Sequence, residues 1–364
     1  MNNAELSVVI AGGGTAGHIE PALAVGEALK TYHGARITAL GTKKGLEGEI
    51  VPARGVDLRM ILPVPIPRKP SVDLVKLPYR LIKAVLQTRA VLKDVNAQAV
   101  FGTGGYVAAP AYIAAKTKGL PFYIHETNAL AGMANKLGVK LGGVGFNAAA
   151  NSGMPGDVVG VPIRAAIGKD PDGAAAARGR QQWGFDDSKP VLLITGGSQG
   201  AASINAAVKA ALPELVEHVQ VLHAYGPRNE APQAQDGYVP VPYIEDMAAA
   251  LAVADLTVCR SGAMTVAEIT AAGLPAIYVP LPHGNGEQAL NSQHVVEAGG
   301  AIMIKDSDLT GQRLVEEVVA IADNPQRREE MVAAAQDSGA GDVSKMLADR
   351  IAADVRKEQE KESN

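Results

Sequence analysis

The sequence predicts an α/β protein of two Rossmann-like domains, and three observations carry that reading. Short apolar runs of strand length alternate with alanine-rich helical stretches, the pattern of βαβ units around a parallel sheet. A polar stretch rich in alanine and glycine, at 169–180, interrupts the alternation once before a second series begins. Each series opens alike, with an apolar strand, a glycine-rich turn and a helix. At roughly 100–200 residues per domain, 364 residues accommodate two such units.

In the first series, 6–11 reads as a strand, the glycine loop follows, and 21–31 reads as a helix. Further strands are expected at 35–40, 97–101, 121–125 and 143–146. The second series places strands at 191–194, 219–223, 256–259 and 276–279. The domains are expected at 1–163 and 164–342. A helix near 343–356 could pack back on the first domain, and polar 357–364 reads as a flexible tail.

Apolar residues make up 47% of the chain and charged residues 20%, enough for packed cores. A net charge of -4 argues against nucleic acid as the main partner. The single cysteine, Cys259, allows no internal disulfide and reads as a small buried strand residue in a reducing compartment. The N-terminus carries no basic segment of a signal peptide. The uncharged stretch 95–115 is divided by Asn96, Gln98, Thr103, three glycines and Pro110, so it reads as strand, loop and helix rather than a membrane span.

Gly12-Gly13-Gly14-Thr15-Ala16-Gly17 fits G-x-G-x-x-G between a strand and a helix. Glycines let the backbone turn tightly against a diphosphate, and the helix N-terminus offers it unpaired N–H groups. A dinucleotide-binding domain also needs an acid after its second strand, and here Gly41-Thr42-Lys43-Lys44 follows instead. The lysine pair leaves NADP open. Two further loops weigh against a dehydrogenase: Gly102-Thr103-Gly104-Gly105 and Gly196-Gly197-Ser198-Gln199-Gly200. A protein that joins two diphosphate-bearing molecules needs a cradle in each half.

In the second half, Arg260-Ser261-Gly262-Ala263-Met264-Thr265 runs from a strand into a helix that Gly273 and Pro275 close. Glu268 lies about one turn after Met264, and its carboxylate can accept both hydroxyls of a ribose. The loop 280–286 enters a helix whose Gln288 and Asn291 amides suit a sugar's hydroxyls.

With these segments in this order, the chain resembles the MurG family of peptidoglycan N-acetylglucosaminyltransferases over nearly its whole length. The resemblance also rests on His18, Tyr106, His125-Glu126-Thr127-Asn128, Gly132, Asn135 and Gly160-Val161-Pro162-Ile163-Arg164. It implies a GT-B fold, two Rossmann-like domains facing each other across a cleft. The C-terminal domain would bind UDP-GlcNAc, and the N-terminal domain would bind lipid I, the undecaprenyl-diphosphate-linked muramoyl pentapeptide. GlcNAc would pass with inversion to the muramoyl 4-hydroxyl, giving lipid II and UDP, at the cytoplasmic face of the membrane and with no cofactor.

The resemblance further implies that Ile244 meets the uracil and Glu268 the ribose. Arg164, Ser198, Ala263, Met264 and Thr265 would surround the donor diphosphate, and Gln288 and Asn128 would hold GlcNAc. Thr15, Ala16 and Gly17 would lie beside the donor, and Gly14, Gly104, Gly105 and Tyr106 at the acceptor diphosphate. Ala16 and Thr127 replace a glycine and a glutamine usual in the family, and alanine restricts positive φ in the loop.

An inverting transfer needs a base for the acceptor proton and stabilisation of the leaving diphosphate. His18, following the acceptor-side loop, is the leading candidate, with His125 and Glu126 as rivals. No Asp-x-Asp or cysteine/histidine cluster with metal-ligand spacing occurs, so Arg164, the Ser198 loop and helix N-termini are expected to assist UDP departure.

The stretch 63–93 is basic and apolar. Lys76, Arg80 and Lys83 share helical spacing, Leu74, Leu77, Leu81 and Val85 form an adjacent stripe, and Pro78 reads as a new helix start. Such a surface can lie on an anionic leaflet without crossing it. A UDP-GlcNAc 2-epimerase would share the architecture without needing that surface. An NADP-dependent reductase would rest on the first loop and Lys43-Lys44, and a non-catalytic nucleotide-sugar module would have no use for His18.

Overall fold

The computed structural model describes residues 5–43, 45–64, 72–168, 170–283 and 286–363. The chain divides into two compact units, Met1–Ala165 with Asp342–Asn364, and Ala166–Gly341.

In the first unit the strands are β1 Ser7–Gly12, β2 Arg36–Gly41, β3 Asp57–Met60, β4 Ala99–Gly104, β5 Phe122–Glu126, β6 Val144–Asn147 and β7 Asp157–Val158. They form a sheet of order β3-β2-β1-β4-β5-β6-β7, parallel throughout. β1 and β4 are buried along their whole length, as unbroken apolar runs in a helix-covered parallel sheet must be. The second unit holds β8 Val191–Thr195, β9 Gln220–Ala224, β10 Tyr238–Val241, β11 Leu256–Cys259, β12 Ala276–Tyr278 and β13 Ala301–Met303. Its order is β10-β9-β8-β11-β12-β13, again parallel.

In both sheets the strand order reverses once, between β1 and β4 and between β8 and β11. Ligands of open parallel sheets bind at such switch points, beyond the carboxyl ends of the strands. The glycine loops after β1, β4 and β8, and the Arg260-Ser261-Gly262 turn after β11, lie at these ends.

The C-terminal helix, Val343–Ser363, belongs to the first unit. Val343, Leu347, Ala348, Ile351 and Val355 join one core cluster with Ile19, Leu23 and Val25 of the helix Ala16–His33. The helix runs on through Ser363, so the residues expected as a tail extend it instead. Arg164, expected to begin the second domain, falls within the first unit.

Two proline-based boundaries are corrected. The first helix begins at Ala16 rather than Pro21, and Val72–Asp94 is one helix with Pro78 inside it. Proline's fixed φ suits a helix, so each helix continues at the loss of one N–H bond.

The long helix also turns differently from its expected stripe. Leu77 and Leu81 are half-buried and Val85 packs against the core. The apolar side chains that face outward are Tyr79, Ile82 and Leu86, 67, 61 and 61% exposed. Lys83 is exposed beside them and Arg80 half-buried, while the Lys76 side chain lies outside the described residues. Among the described residues no helix is long and apolar enough to cross a membrane.

Candidate active site residues at two sheet switch points

At the first switch point, two glycine loops meet backbone to backbone. Gly13 N–H donates to Gly104 O at 3.2 Å. Gly105 has φ +83°, and a Cβ there would come 1.9 Å from Gly13 O, so both its conformation and its neighbour require glycine. Thr15 then caps the helix Ala16–His33 from an extended conformation. Its Oγ1 lies 3.1 Å from His18 Nδ1, and Thr103 Oγ1 donates to the His18 carbonyl at 2.6 Å. The other edge of the half-exposed imidazole, Cδ2 and Nε2, faces Gly104 closely enough that a Cβ there would collide with it. His18 is thus held in the first helical turn with its ring at the meeting of both loops.

Ala16 is the first residue of that helix, and the positive-φ residues other than glycine are Asn96 and Asn151 among the described residues. Its methyl group therefore meets no backbone restriction. Gly14 differs from expectation in another way. Its N–H already donates to Glu47 Oε1 at 2.9 Å, so in this conformation that amide is not open to an acceptor phosphate. The Tyr106 ring, 49% exposed, packs beside Gly14.

The rivals to His18 are committed elsewhere. His125 is fully buried, its Nε2 bonds Gly160 O at 2.8 Å, and burial pushes its pKa down to about 4. Thr127, also buried, sits beside its Nδ1 at 3.5 Å. Glu126 is 2% exposed. Its Oε1 accepts from Asn128 N and Nδ2, and its Oε2 from Gly132 N and Asn135 Nδ2, at 2.9–3.4 Å. Asn135 in turn accepts from Tyr112 O–H at 3.0 Å, and burial holds that phenol well above its usual range. These interior bonds make Glu126 a brace for half-buried Asn128 and leave neither rival placed as a base.

At the second switch point, Ser198 is exposed on the loop between β8 and the helix Ala202–His218. Thr195 Oγ1 accepts Gly197 N–H at 3.2 Å, fixing the entry to that loop. Gly262 caps the helix Ala263–Ala272, which ends on Gly273 at φ 66° as its sequence predicts. Met264, Thr265 and Glu268 are half-buried along it and Ala263 is buried. Gln288 Oε1 accepts Leu281 N–H at 3.0 Å, and Asn291 Nδ2 reaches Ser261 O at 3.2 Å. The helix carrying Gln288 is thereby tied to the Ser261 turn. Ile244 is buried at 3% exposure, so its side chain packs within its own unit. Gly284 and Asn285 of the 280–286 loop, and Lys44, lie outside the described residues.

Sequence reasoning passed over two positioning side chains. Glu47 contacts Gly14 from 33 residues away, a pairing no local motif signals. Arg260, seen only as part of a motif, donates to Val279 O, Pro280 O and Asp306 Oδ1 through Nη1, and to Ser203 Oγ through Nη2. It pins the end of β12 to the 3₁₀ turn Asp306–Asp308 and to the helix Ala202–His218.

The buried histidines also make stability depend on pH. His223, between Tyr238 and Asn205 in the second unit, is pushed down by burial to about 4, as is His125 in the first. An unfolded histidine titrates near 6.5. Between those values the unfolded chain takes up protons that the folded units refuse, so stability is full above pH ~6.5 and falls as the pH drops toward 4. Each unit should lose about 2 kcal/mol through its histidine by pH ~5. Urea midpoints unchanged between pH 7.5 and 5 would refute this.

Residues 8–141 match the glycosyltransferase family 28 N-terminal domain, and 191–347 the glycosyltransferase family 28 C-terminal domain. A relative from Corynebacterium efficiens is 62% identical over 348 residues, covering 95% of this chain and 97% of its own. Its name is UDP-N-acetylglucosamine–N-acetylmuramyl-(pentapeptide) pyrophosphoryl-undecaprenol N-acetylglucosamine transferase. A Mycobacterium avium relative of the same name is 51% identical over 356 residues, covering 94% of this chain and 87% of its own. The crystal structure of Acinetobacter baumannii MurG matches with a TM-score of 0.74 at 28% identity, covering 96% of this chain and 99% of that one. The chain, a hexosyltransferase with a GT-B fold, therefore belongs to the MurG family within glycosyltransferase family 28.

Proposed function

We propose that this chain moves GlcNAc from UDP-GlcNAc to the muramoyl 4-hydroxyl of lipid I, with inversion, giving lipid II and UDP for peptidoglycan synthesis. The observation that carries the reading is that each parallel sheet has glycine loops at its switch point, followed by side chains suited to one substrate. The first unit offers His18, Tyr106 and Asn128 for the acceptor sugar and its diphosphate. The second offers Ser198 and Thr265 for the donor diphosphate, Glu268 for its ribose and Gln288 for GlcNAc. The names of the Corynebacterium and Mycobacterium relatives support the same pair of substrates.

In this mechanism the 4-hydroxyl oxygen attacks the anomeric carbon as its proton passes to His18. The bond from that carbon to the diphosphate oxygen breaks, and its electron pair leaves with UDP. Thr15 orients the base: when Nδ1 carries the proton and donates to Thr15 Oγ1, Nε2 is the basic nitrogen. Backbone N–H groups of the Ser198 loop and of the first turn of Ala263–Ala272 stabilise the departing charge, with Arg164 as a further cation. Incubation with labelled UDP-GlcNAc and a lipid I analogue tests the reading by formation of lipid II. Release of 2-epimerised sugar without acceptor would replace it with an epimerase, and NADP turnover with a reductase.

Peripheral membrane contact at the cytoplasmic face fits a lipid-linked acceptor. The outward ridge of Tyr79, Ile82 and Leu86 beside Lys83 and Arg80 suits an anionic leaflet. Ile82→Glu with Leu86→Glu should abolish co-sedimentation with anionic liposomes while leaving turnover of a soluble acceptor analogue intact. Charge reversal at Lys76, Arg80 and Lys83 should weaken it in a salt-dependent way. Co-sedimentation indifferent to both sets would refute this surface.

A further inference from the structure

Glu47 opens the helix Glu47–Ala53 and is fully buried. Its Oε1 accepts the Gly14 N–H at 2.9 Å, and its buried Oε2 accepts no hydrogen bond among the described residues. Three glycines clear room for this one side chain. A Cβ on Gly13 would come 2.4 Å from Oε1, one on Gly45 1.5 Å from Oε2, and one on Gly41 2.9 Å from Glu47 Cβ. The glycines that read as a diphosphate cradle are therefore also the walls of a carboxylate pocket.

The loop is gripped at consecutive residues from opposite sides. Gly13 donates to Gly104 O, and Gly14 donates to Glu47. Immediately after this grip come Thr15 and His18, whose side chains meet at 3.1 Å. With the amides of Gly13 and Gly14 both held, the backbone is restrained at the two residues that lead into Thr15, the cap of the helix Ala16–His33. A buried hydrogen bond to a carboxylate oxygen is a strong local restraint on a loop that otherwise consists of three glycines.

We propose that Glu47 is a positioning residue for the transfer reaction: its carboxylate clamps Gly14 and so sets the Thr15–His18 turn that meets the acceptor. It also reserves the Gly14 amide, which in this conformation is closed to an acceptor anion. The inference rests on the acceptor assignment above, and it predicts an effect on acceptor use that spares the donor.

Three variants of the full chain test it: Glu47→Ala, Glu47→Gln and Glu47→Asp. Glu47→Ala should speed amide hydrogen exchange across 12–18 and raise the KM for a lipid I analogue about tenfold, the equivalent of one buried hydrogen bond. The KM for UDP-GlcNAc should stay unchanged. Glu47→Gln keeps an acceptor oxygen for Gly14 and should restore both readouts. Glu47→Asp keeps the carboxyl group but is one methylene too short, and should behave as Glu47→Ala. Wild-type exchange or wild-type acceptor KM in Glu47→Ala and Glu47→Asp would overturn the proposal. So would equal rises in both KM values, the mark of general destabilisation. Should Glu47→Ala fail to fold, the contrast between Gln and Asp decides alone. A wild-type chain that transfers nothing to the lipid I analogue would retire the acceptor assignment, while the exchange contrast would still decide whether Glu47 clamps the loop.

Discussion

His18→Ala should lower kcat by about 10²–10⁴-fold, the usual contribution of a positioned general base, while UDP affinity stays at the wild-type value. The geometry gives the reason for both halves of that result. His18 stands at the meeting of the two glycine loops, with Thr15 Oγ1 at its Nδ1 and Thr103 bonded to its carbonyl. Removing the ring deletes the proton acceptor and leaves the backbone bond of Thr103 in place. UDP is assigned to side chains of the other unit, such as Glu268 and Ser198, which the substitution does not touch. Single-turnover rates with a lipid I analogue, beside UDP titrations, check the two halves separately. A variant with wild-type turnover would end the assignment of His18 as base.

Glu126→Ala should be the most destabilising single change at the first switch point. Its carboxylate is 2% exposed and accepts from Asn128, Gly132 and Asn135. Asn135 is itself 2% exposed, so alanine at position 126 removes the shortest bond of its Nδ2, leaving the longer ones to the Thr103 and His125 carbonyls, and opens a cavity beside it. The combined cost is about 3–5 kcal/mol, from the lost hydrogen bonds together with the cavity. For a unit of this size that lowers Tm by roughly 10 °C. Glu126→Gln, which keeps the shape and one acceptor oxygen, should lose less than half as much. Calorimetry of the two variants distinguishes a brace from a base. A base would lose activity in both with little change in Tm, whereas a brace loses Tm in proportion to the bonds removed.

The central strands were legible because burial on both faces leaves unbroken apolar runs such as Val8-Val9-Ile10 and Leu192-Leu193-Ile194. The outer strands β3, β7, β10 and β13 were not. Asp57–Met60 and Asp157–Val158 are the two edge strands of their sheet, and at four and two residues they are too short for alternation to stand out and carry no apolar run. Helical spacing found the apolar character of Val72–Asp94. It could not say which stripe packs inward, because Leu81 and Ile82 have similar hydrophobicity and only the tertiary partner separates them.

The same limit held at the site. Glycine loops between strand and helix are written in consecutive residues, so Gly12-Gly13-Gly14 and Gly196-Gly197 could be found by inspection. The clamp of Glu47 on Gly14 joins residues 33 apart, and the closing of His125 onto Gly160 joins residues 35 apart. Those depend on how the strands are ordered, which no local pattern encodes.

The return of Val343–Ser363 to the first unit has a consequence for biosynthesis. A ribosome synthesises 166–341 in full before it makes Leu347, Ile351 and Val355, which complete the cluster around Val8, Ile10 and Leu23. The half of the molecule translated first is therefore the half that matures last, and it waits as a nascent chain with an open hydrophobic flank. A released chain truncated after Gly341 should present a protease-resistant 166–341 unit beside a protease-sensitive 1–165, whereas the full chain should protect both.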